Sequence, residues 1–295
     1  MMTGALPQPL MLPSFPPYGL SATFRTGPEF VRDRAVGLLT SGIDPAACVV
    51  GLGDPLVREL SGSLPGLRTF PAFSGAACPI PSTQGSLWIM VTGEDRTEVV
   101  DRFHSLTALL KTDFLLEDAL DTFLYRNGRD LTGYEDGTEN PRGDKALKVA
   151  IVGPGEPLAG SSFVAVQRWV HDLSRFNAFP KSTQDEIMGR ERVTNEELPE
   201  APASAHVRRS AQESYDPEAF ILRRSMPWSR GEENGLEFIA FGRSLDPFER
   251  ILRRMAGEDD GVVDALFTFS RPVRGGYYWC PPVKDGRLDL LSGIP

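Results

Sequence analysis

The chain has 295 residues, 41% hydrophobic and 24% charged, a composition that excludes wholesale disorder and fits two domains or one large one. Forty acidic against 31 basic residues leave a net charge of −9, which repels phosphate backbones and anionic lipid, so neither nucleic acid nor a membrane surface is an expected partner. No run approaches the roughly 20 apolar residues of a spanning helix, and Cys48, Cys78 and Cys280 form no C-x-x-C pair, so neither a disulfide framework nor a zinc site is implied.

Residues 1–17 are Pro-rich and predict an extended arm with no basic region and no continuous apolar stretch; a reduced, cytoplasmic protein is the expectation. Tyr18 to Thr26 reads as a strand and Pro28 to Leu39 as a helix stopped before Ser41-Gly42. Cys48 to Gly53 is a second strand, after which Asp54-Pro55 supplies an N-cap and a first helical position. Beyond a Pro/Gly-rich stretch, Ser86 to Val91 reads as a strand. Glu98 to Lys111 reads as a helix with Val99, Phe103, Leu106 and Leu110 on one face. Phe114 to Tyr125 is read as a strand and Asn127 to Asp144, dense in Gly, Asp and Asn, as loop. Ser161 to Val170 is a strand, followed by helical pattern to Met188 and an acidic, Pro-containing loop from Arg190 to Ser204. His206 to Ala211, Phe220 to Met226 and Leu236 to Phe241 read as strands. Asp246-Pro247-Phe248-Glu249 reads as a capping box opening a helix to Met255, and Ala265 to Cys280 as two further strands.

The halves echo each other. Gly85-Ser86-Leu-Trp-Ile-Met-Val resembles Gly160-Ser161-Ser-Phe-Val-Ala-Val, and each half reads strand–helix–strand–strand–helix–strand. That order suits an α+β fold with antiparallel sheets and helices on one face. Two similarly built domains are expected, residues 1–145 and 146–295.

Three segments offer chemistry. Gly133-Tyr-Glu-Asp136-Gly137-Thr138-Glu139-Asn140-Pro141 flanks an acid with glycines, a pattern that holds a carboxylate on a tight turn; a solvated linker accounts for the same composition. Of three histidines, His104 lies on a helix flank and His171 beside Asp172, both readable as structural. His206 follows the acidic segment Glu196-Glu197-Leu-Pro-Glu-Ala-Pro and has no second histidine nearby, which leaves single axial ligation of a haem iron as a metal role. In Phe220-Ile-Leu-Arg-Arg-Ser-Met-Pro-Trp228, alternation sets Ile221, Arg223 and Ser225 on one face and Phe220, Leu222, Arg224 and Met226 on the other; the Arg/Ser pair is either a polar site or a solvated sheet face. No G-x-S-x-G, Walker A or H-E-x-x-H pattern occurs.

GYEDGTENP, SSFVAVQRWVHDL, SAHV and ILRRSMPW resemble the dye-decolorising peroxidase family, in its short bacterial, cytoplasmic branch, over about Pro9 to Pro282. The resemblance implies two ferredoxin-like domains with one haem b per chain held in the C-terminal one. It implies reduction of hydrogen peroxide through a ferryl intermediate, with small aromatic donors (dyes, phenols or porphyrins) oxidised. His206 then matches the proximal iron ligand, Asp136 the distal acid and Arg223 the distal arginine. Gly137, Thr138 and Ser225 match positions around the haem, and Arg190 the partner of a propionate. The family often carries an Asp at the position of Thr268 to support the proximal histidine; its absence here points to Glu197 or Asp264 as a substitute or to a less electron-rich iron, and it also fits a haem-handling protein with incidental peroxidase activity. A homo-oligomer, a dimer or higher, is implied as well. Trp88, Trp169, Trp228, Trp279 and the Tyr277-Tyr278 pair are either core or an electron route to the surface. The apolar-ended tail Leu288 to Pro295 suits docking to an enclosing shell protein.

Overall fold

The computed structural model describes residues 5–75 and 77–290. The first half builds β1 (Tyr18–Thr26), α1 (Arg32–Ser41), β2 (Cys48–Gly53) and α2 (Asp54–Ser61), then a ribbon of β3 (Phe73–Ser74) and β4 (Pro79–Ile80). It ends with β5 (Leu87–Gly93), α3 (Arg96–Leu110) and β6 (Phe114–Phe123). The second half builds α4 (Asp144–Ala150), β7 (Ser162–His171), α5 (Leu173–Ala178), α6 (Lys181–Met188) and the one-turn helix α7 (His206–Arg209). There follow β8 (Leu222–Arg223), β9 (Met226–Arg230), β10 (Glu233–Gly242), α8 (Asp246–Met255) and β11 (Ser270–Cys280), with a last ribbon of β12 (Val283–Lys284) and β13 (Arg287–Leu288).

Strands run β6-β1-β5-β2 in the first half and β11-β7-β10-β8 in the second, with β9 also paired to β10. Both orders are the fourth-first-third-second arrangement of a ferredoxin-like unit, and the class is α+β with antiparallel pairing throughout the large sheet. The halves are not separate sheets. β2 and β11 pair through Leu52 with Trp279 and Gly53 with Tyr278, giving one nine-stranded sheet. Its halves also meet face to face: Ser21 Oγ of β1 donates to Glu237 of β10 at 2.7 Å, and Asp118 of β6 pairs with Arg168 of β7.

This arrangement buries apolar residues on both faces of the strands. One core lies under the helices and includes Phe24, Leu39, Val57, Ile89, Leu106, Phe248 and Trp279. The other lies between the sheet halves and includes Val49, Trp88, Val166, Leu222, Phe241 and Tyr278. The arm closes this second core. Met11 is fully buried in it, and the Gln8 amide, also fully buried, donates to Val50 O at 2.9 Å and Pro281 O at 3.0 Å while accepting from Val50 N–H at 2.8 Å. All four tryptophans, Tyr277 and Tyr278 are buried, so none offers a broad surface to a bulky donor.

Several sequence expectations are corrected. His206 to Ala211 is not a strand: Arg208 and Arg209 N–H both return to Ala205 O, closing the turn of α7. Six residues are too few for alternation to distinguish strand from turn. Ala265 to Cys280 is a 3-10 turn, Ala265–Thr268, and one strand rather than two, because Asp264 caps Leu266 N–H at 2.8 Å. α1 starts at Arg32 instead of Pro28; buried Asp113 takes Val31 N–H and the Arg34 guanidinium, and Phe30 N–H turns back to Gly27 O. Asp54 and Asp246 do not cap their helices. Asp54 bonds Arg58 and Thr69, while Asp246 and Glu249 both bond Arg68. The helical run before Met188 breaks into α5 and α6 at Pro180, and α4 was not anticipated. In the tail, Leu288 and Leu290 are buried; 291–295 lie outside the described residues, as do 1–4 of the arm.

Candidate active site

A cavity of about 380 Å³ opens between the β7 side of the sheet, the loop after β6, and α7. His206, Asp136, Thr138, Arg190 and Arg223 all line it. These residues come from four separate segments.

The loop after β6 carries Asp136. It is closed by Asp130 N–H to Tyr134 O and Gly133 N–H to Asp130 O, both 2.8 Å, and by Asp136 N–H to Gly128 O at 3.0 Å. Gly133 and Gly137 take φ of +89° and +77°, which side-chain-bearing residues adopt only at a cost. Beneath the loop, His171 bonds Ser270 through Nδ1 at 2.7 Å and Asp130 through Nε2 at 3.2 Å, not Asp172 beside it. Burial alone would raise the Asp130 carboxyl, but contact with His171 and two hydrogen bonds from Thr132 outweigh it and hold the group at about 2. Tyr134 Oη donates to Asp185 at 2.5 Å; burial first, then this carboxylate, pushes the phenol well above its usual range.

On the other side, His206 opens α7. Its Nδ1 lies 2.8 Å from Oδ2 of Asp264, whose side chain is fully buried and whose Oδ1 accepts Leu266 N–H at 2.8 Å. A carboxylate held this way fixes the ring with its proton on Nδ1. Nε2 has no hydrogen-bond partner among the described residues. Asp264 therefore stands where Thr268 cannot serve, while Glu197 turns to Arg190 at 3.6 Å.

Arg223 sits in β8 with Nη1 3.6 Å from Asp136 Oδ1. Its Nε is buried and unpartnered. Leu222 and Met226 point into the core between the sheet halves, as alternation required, and the Arg224 guanidinium donates to Leu12 O and to Pro13 O of the arm. Ser225 does not join Arg223 on the cavity wall: β8 ends at Arg223, and Ser225 Oγ accepts Ile239 N–H at 3.4 Å along the strand edge. Gly137 also lies outside the wall, whereas Thr138 lines it and accepts from Asn195 Nδ2 at 2.9 Å. Arg190 stands at the rim, bonded to Glu139 at 2.6 Å and Asn195 O at 3.0 Å. Sequence reasoning missed Asn140, which bonds both backbone groups of Arg223, and Gln212, which ties Ile221 to Glu139.

The haem expected from the resemblance fits these residues. An oriented imidazole presents a free Nε2 to the cavity, a buried guanidinium nitrogen on the wall lacks an acceptor, and the sheet and α8 contribute an apolar lining that includes Phe238, Phe248, Ile251 and Leu252.

Comparison with known proteins points the same way. Residues 127–285 match the family described as Dyp-type peroxidase, C-terminal. The chain is 33% identical over 249 residues to the dye-decolorizing peroxidase of Mycolicibacterium paratuberculosis, covering 81% of this chain and 68% of that one. It is 29% identical over 300 residues to that of Mycobacterium tuberculosis, covering 94% and 88%. In structure it is similar to a variant of Rhodococcus jostii DypB in complex with heme, with a TM-score of 0.85 and 28% identity over 93% of this chain and 96% of that one. It is similar also to the dye-decolorizing peroxidase of Bacteroides thetaiotaomicron, with a TM-score of 0.86 and 25% identity over 95% and 97%.

Proposed function

The chain belongs to the dye-decolorising peroxidase family and is a haem-dependent peroxidase, and from that membership we propose how its own residues divide the work. Haem, when bound, supplies an iron that takes two oxidising equivalents from hydrogen peroxide and passes them on to electron donors. His206 would hold the iron through Nε2, and Asp264, accepting a hydrogen bond from Nδ1, makes that imidazole a stronger donor. Asp136 takes the proton from one peroxide oxygen and returns it to the other, so that the departing oxygen leaves as water. The Arg223 guanidinium stabilises the negative charge that grows as the O–O bond lengthens. Arg190 at the rim is the cation for a propionate, exchanging its contact with Glu139 for it. Thr138 shapes the same wall. Gly137 and Ser225 serve from outside the wall, the first through its turn and the second through the strand edge.

One observation carries this reading: an imidazole tied to a buried carboxylate and an Arg–Asp pair converge on one cavity. The haem-handling alternative rested on a missing acid, and Asp264 removes that ground. The test is the absorption spectrum of haem-loaded protein, wild type beside His206→Ala, before and after one equivalent of peroxide. A Soret band that depends on His206 and changes promptly with peroxide supports the assignment; a His206-dependent band indifferent to peroxide returns the haem-handling reading.

The domain boundary is proposed at 145/146, so that Asp136 comes from the first domain and His206 and Arg223 from the second; the two strand orders support it. A reduced, cytoplasmic location is part of the proposal, supported by three free cysteines. No described helix is long and apolar enough to cross a membrane. Assembly into a homo-oligomer rests on the family resemblance and enclosure in a shell on the apolar-ended tail, of which Leu288 and Leu290 are buried. Hydrogen peroxide and a small aromatic donor are the substrates proposed.

A further inference from the structure

Arg223 is held by its backbone and left free by its side chain. Its N–H donates to Asn140 Oδ1 at 2.8 Å, and Asn140 Nδ2 donates back to its carbonyl at 3.0 Å, across 83 residues of sequence. A second donor, Arg224 Nη1, reaches the same carbonyl at 2.8 Å. The guanidinium, by contrast, has Asp136 only at 3.6 Å and a buried Nε with no partner.

Asn140 belongs to the turn that carries Asp136. Its own N–H closes that turn onto Gly137 O at 3.0 Å. Gly137 leaves room for the amide: a Cβ there would stand 2.7 Å from Asn140 Nδ2. Gln212 adds a second stitch between the same two segments, accepting Ile221 N–H at 2.8 Å and donating to Glu139 O at 3.3 Å. β8 is two residues long, and ladder bonds alone give so short a strand little hold on its register. The amide of Asn140 supplies the missing constraint, because a paired donor and acceptor fix both the distance and the tilt of the peptide they grip.

We propose that Asn140 is a positioning residue of the peroxidase reaction: by clamping the Arg223 backbone to the Asp136 turn, it sets the separation of the proton-transferring carboxylate and the charge-stabilising guanidinium, so that the two act as one unit. The proposal rests on the roles given above to Asp136 and Arg223. It differs from general structural support in one respect, namely that its effect passes through Arg223 and vanishes when that side chain is gone.

The test is a double-mutant cycle on the haem-loaded enzyme with Asn140→Ala, Arg223→Leu and both together. Two quantities are read: the bimolecular rate with peroxide, and the affinity of the resting ferric enzyme for fluoride, an anion that accepts hydrogen bonds and undergoes no turnover. Misplacing a reacting group by ~1 Å can cost about a hundredfold, so Asn140→Ala is expected to lower the peroxide rate by about ten- to a hundredfold and fluoride affinity by about tenfold. In the Arg223→Leu background it is expected to add less than about twofold to either. Asn140→Asp, which keeps the acceptor for Arg223 N–H and loses the donor to its carbonyl, is expected to fall between, and serves if the alanine variant fails to fold. An undiminished loss in the double variant, or wild-type behaviour of both Asn140 variants, overturns the clamp. If Arg223→Leu itself leaves peroxide rate and fluoride affinity unchanged, the assignment of Arg223 fails and the clamp falls with it, a pattern distinct from the first two.

Discussion

Asp264 holds His206 and the 3-10 turn at Ala265–Thr268 with one carboxylate: Oδ2 takes the imidazole Nδ1 and Oδ1 takes Leu266 N–H, each at 2.8 Å. Orientation of the His206 imidazole and folding of the strand that follows are therefore coupled through a single buried side chain.

Asp264→Asn leaves one acceptor oxygen where the carboxylate offers two, so it can serve only one of the two contacts, and it removes the charge. It is expected to retain haem, to slow the peroxide reaction by about ten- to a hundredfold, and to raise the haem midpoint potential, since the imidazole loses electron density. Spectroelectrochemistry checks the direction. An unchanged potential would mean that Asp264 serves only as a cap. Asp264→Ala is expected to lose the cap as well, at about 1 kcal/mol of stability.

Arg223→Leu removes the cation proposed to face the breaking bond and is expected to slow peroxide reduction by about 10²–10³-fold. Asp136→Asn removes the proposed proton carrier and is expected to cost less. Stopped-flow mixing with peroxide gives both rates. Survival of reactivity in Arg223→Leu with collapse in Asp136→Asn would reverse the order of importance.

The depressed Asp130 carboxyl predicts an acid limb in stability. Its ordinary value is 3.8 and its folded value about 2, so the unfolded state takes up the proton first. The contribution is present in full above about 4 and is lost as pH falls towards 2, a term on the order of 2 kcal/mol. Thermal melts from pH 5 to 2 are expected to show a shallower decline in Asp130→Asn than in wild type. Parallel declines would assign the acid limb to other carboxylates.

Gly137→Ala meets two obstacles, a φ of +77° and a contact of 2.7 Å with Asn140 Nδ2. A loss of about 1–2 kcal/mol in stability is expected from the backbone alone. A slower peroxide reaction at temperatures where the variant is fully folded is expected from displacement of the amide. Melting curves beside stopped-flow rates separate the two effects.

Much of the fold was legible because its strands are long and doubly buried. β1 and β2 match the sequence reading residue for residue, and β5, β7 and β10 to within a few positions. α7 was not legible: a single turn leaves no periodicity, and its place is set by Ala205 and by packing around His206. The seam between β2 and β11 was equally hidden, since two residue pairs leave no trace in composition. For the site, residue types and their order singled out His206, Asp136 and Arg223, which line one cavity. Asp264 was one of two acids open to the role, and only distance separates it from Glu197. Asn140 was passed over because its function lies in a contact with a backbone, which the sequence of the partner does not encode.

The buried amide of Gln8 bonds both Val50, early in the chain, and Pro281, which lies 273 residues after Gln8. During synthesis Gln8 is made long before Pro281 exists, so one half of its grip waits for nearly the whole chain. The same holds for Leu52 and its strand partner Trp279. The first half can collapse early, but its edge strand and its arm stay open until β11 arrives, and closing them is a late event in folding. Until then an unpaired strand edge faces solvent, and yield in recombinant expression is expected to respond to temperature and chaperone supply more than the finished protein's stability would suggest.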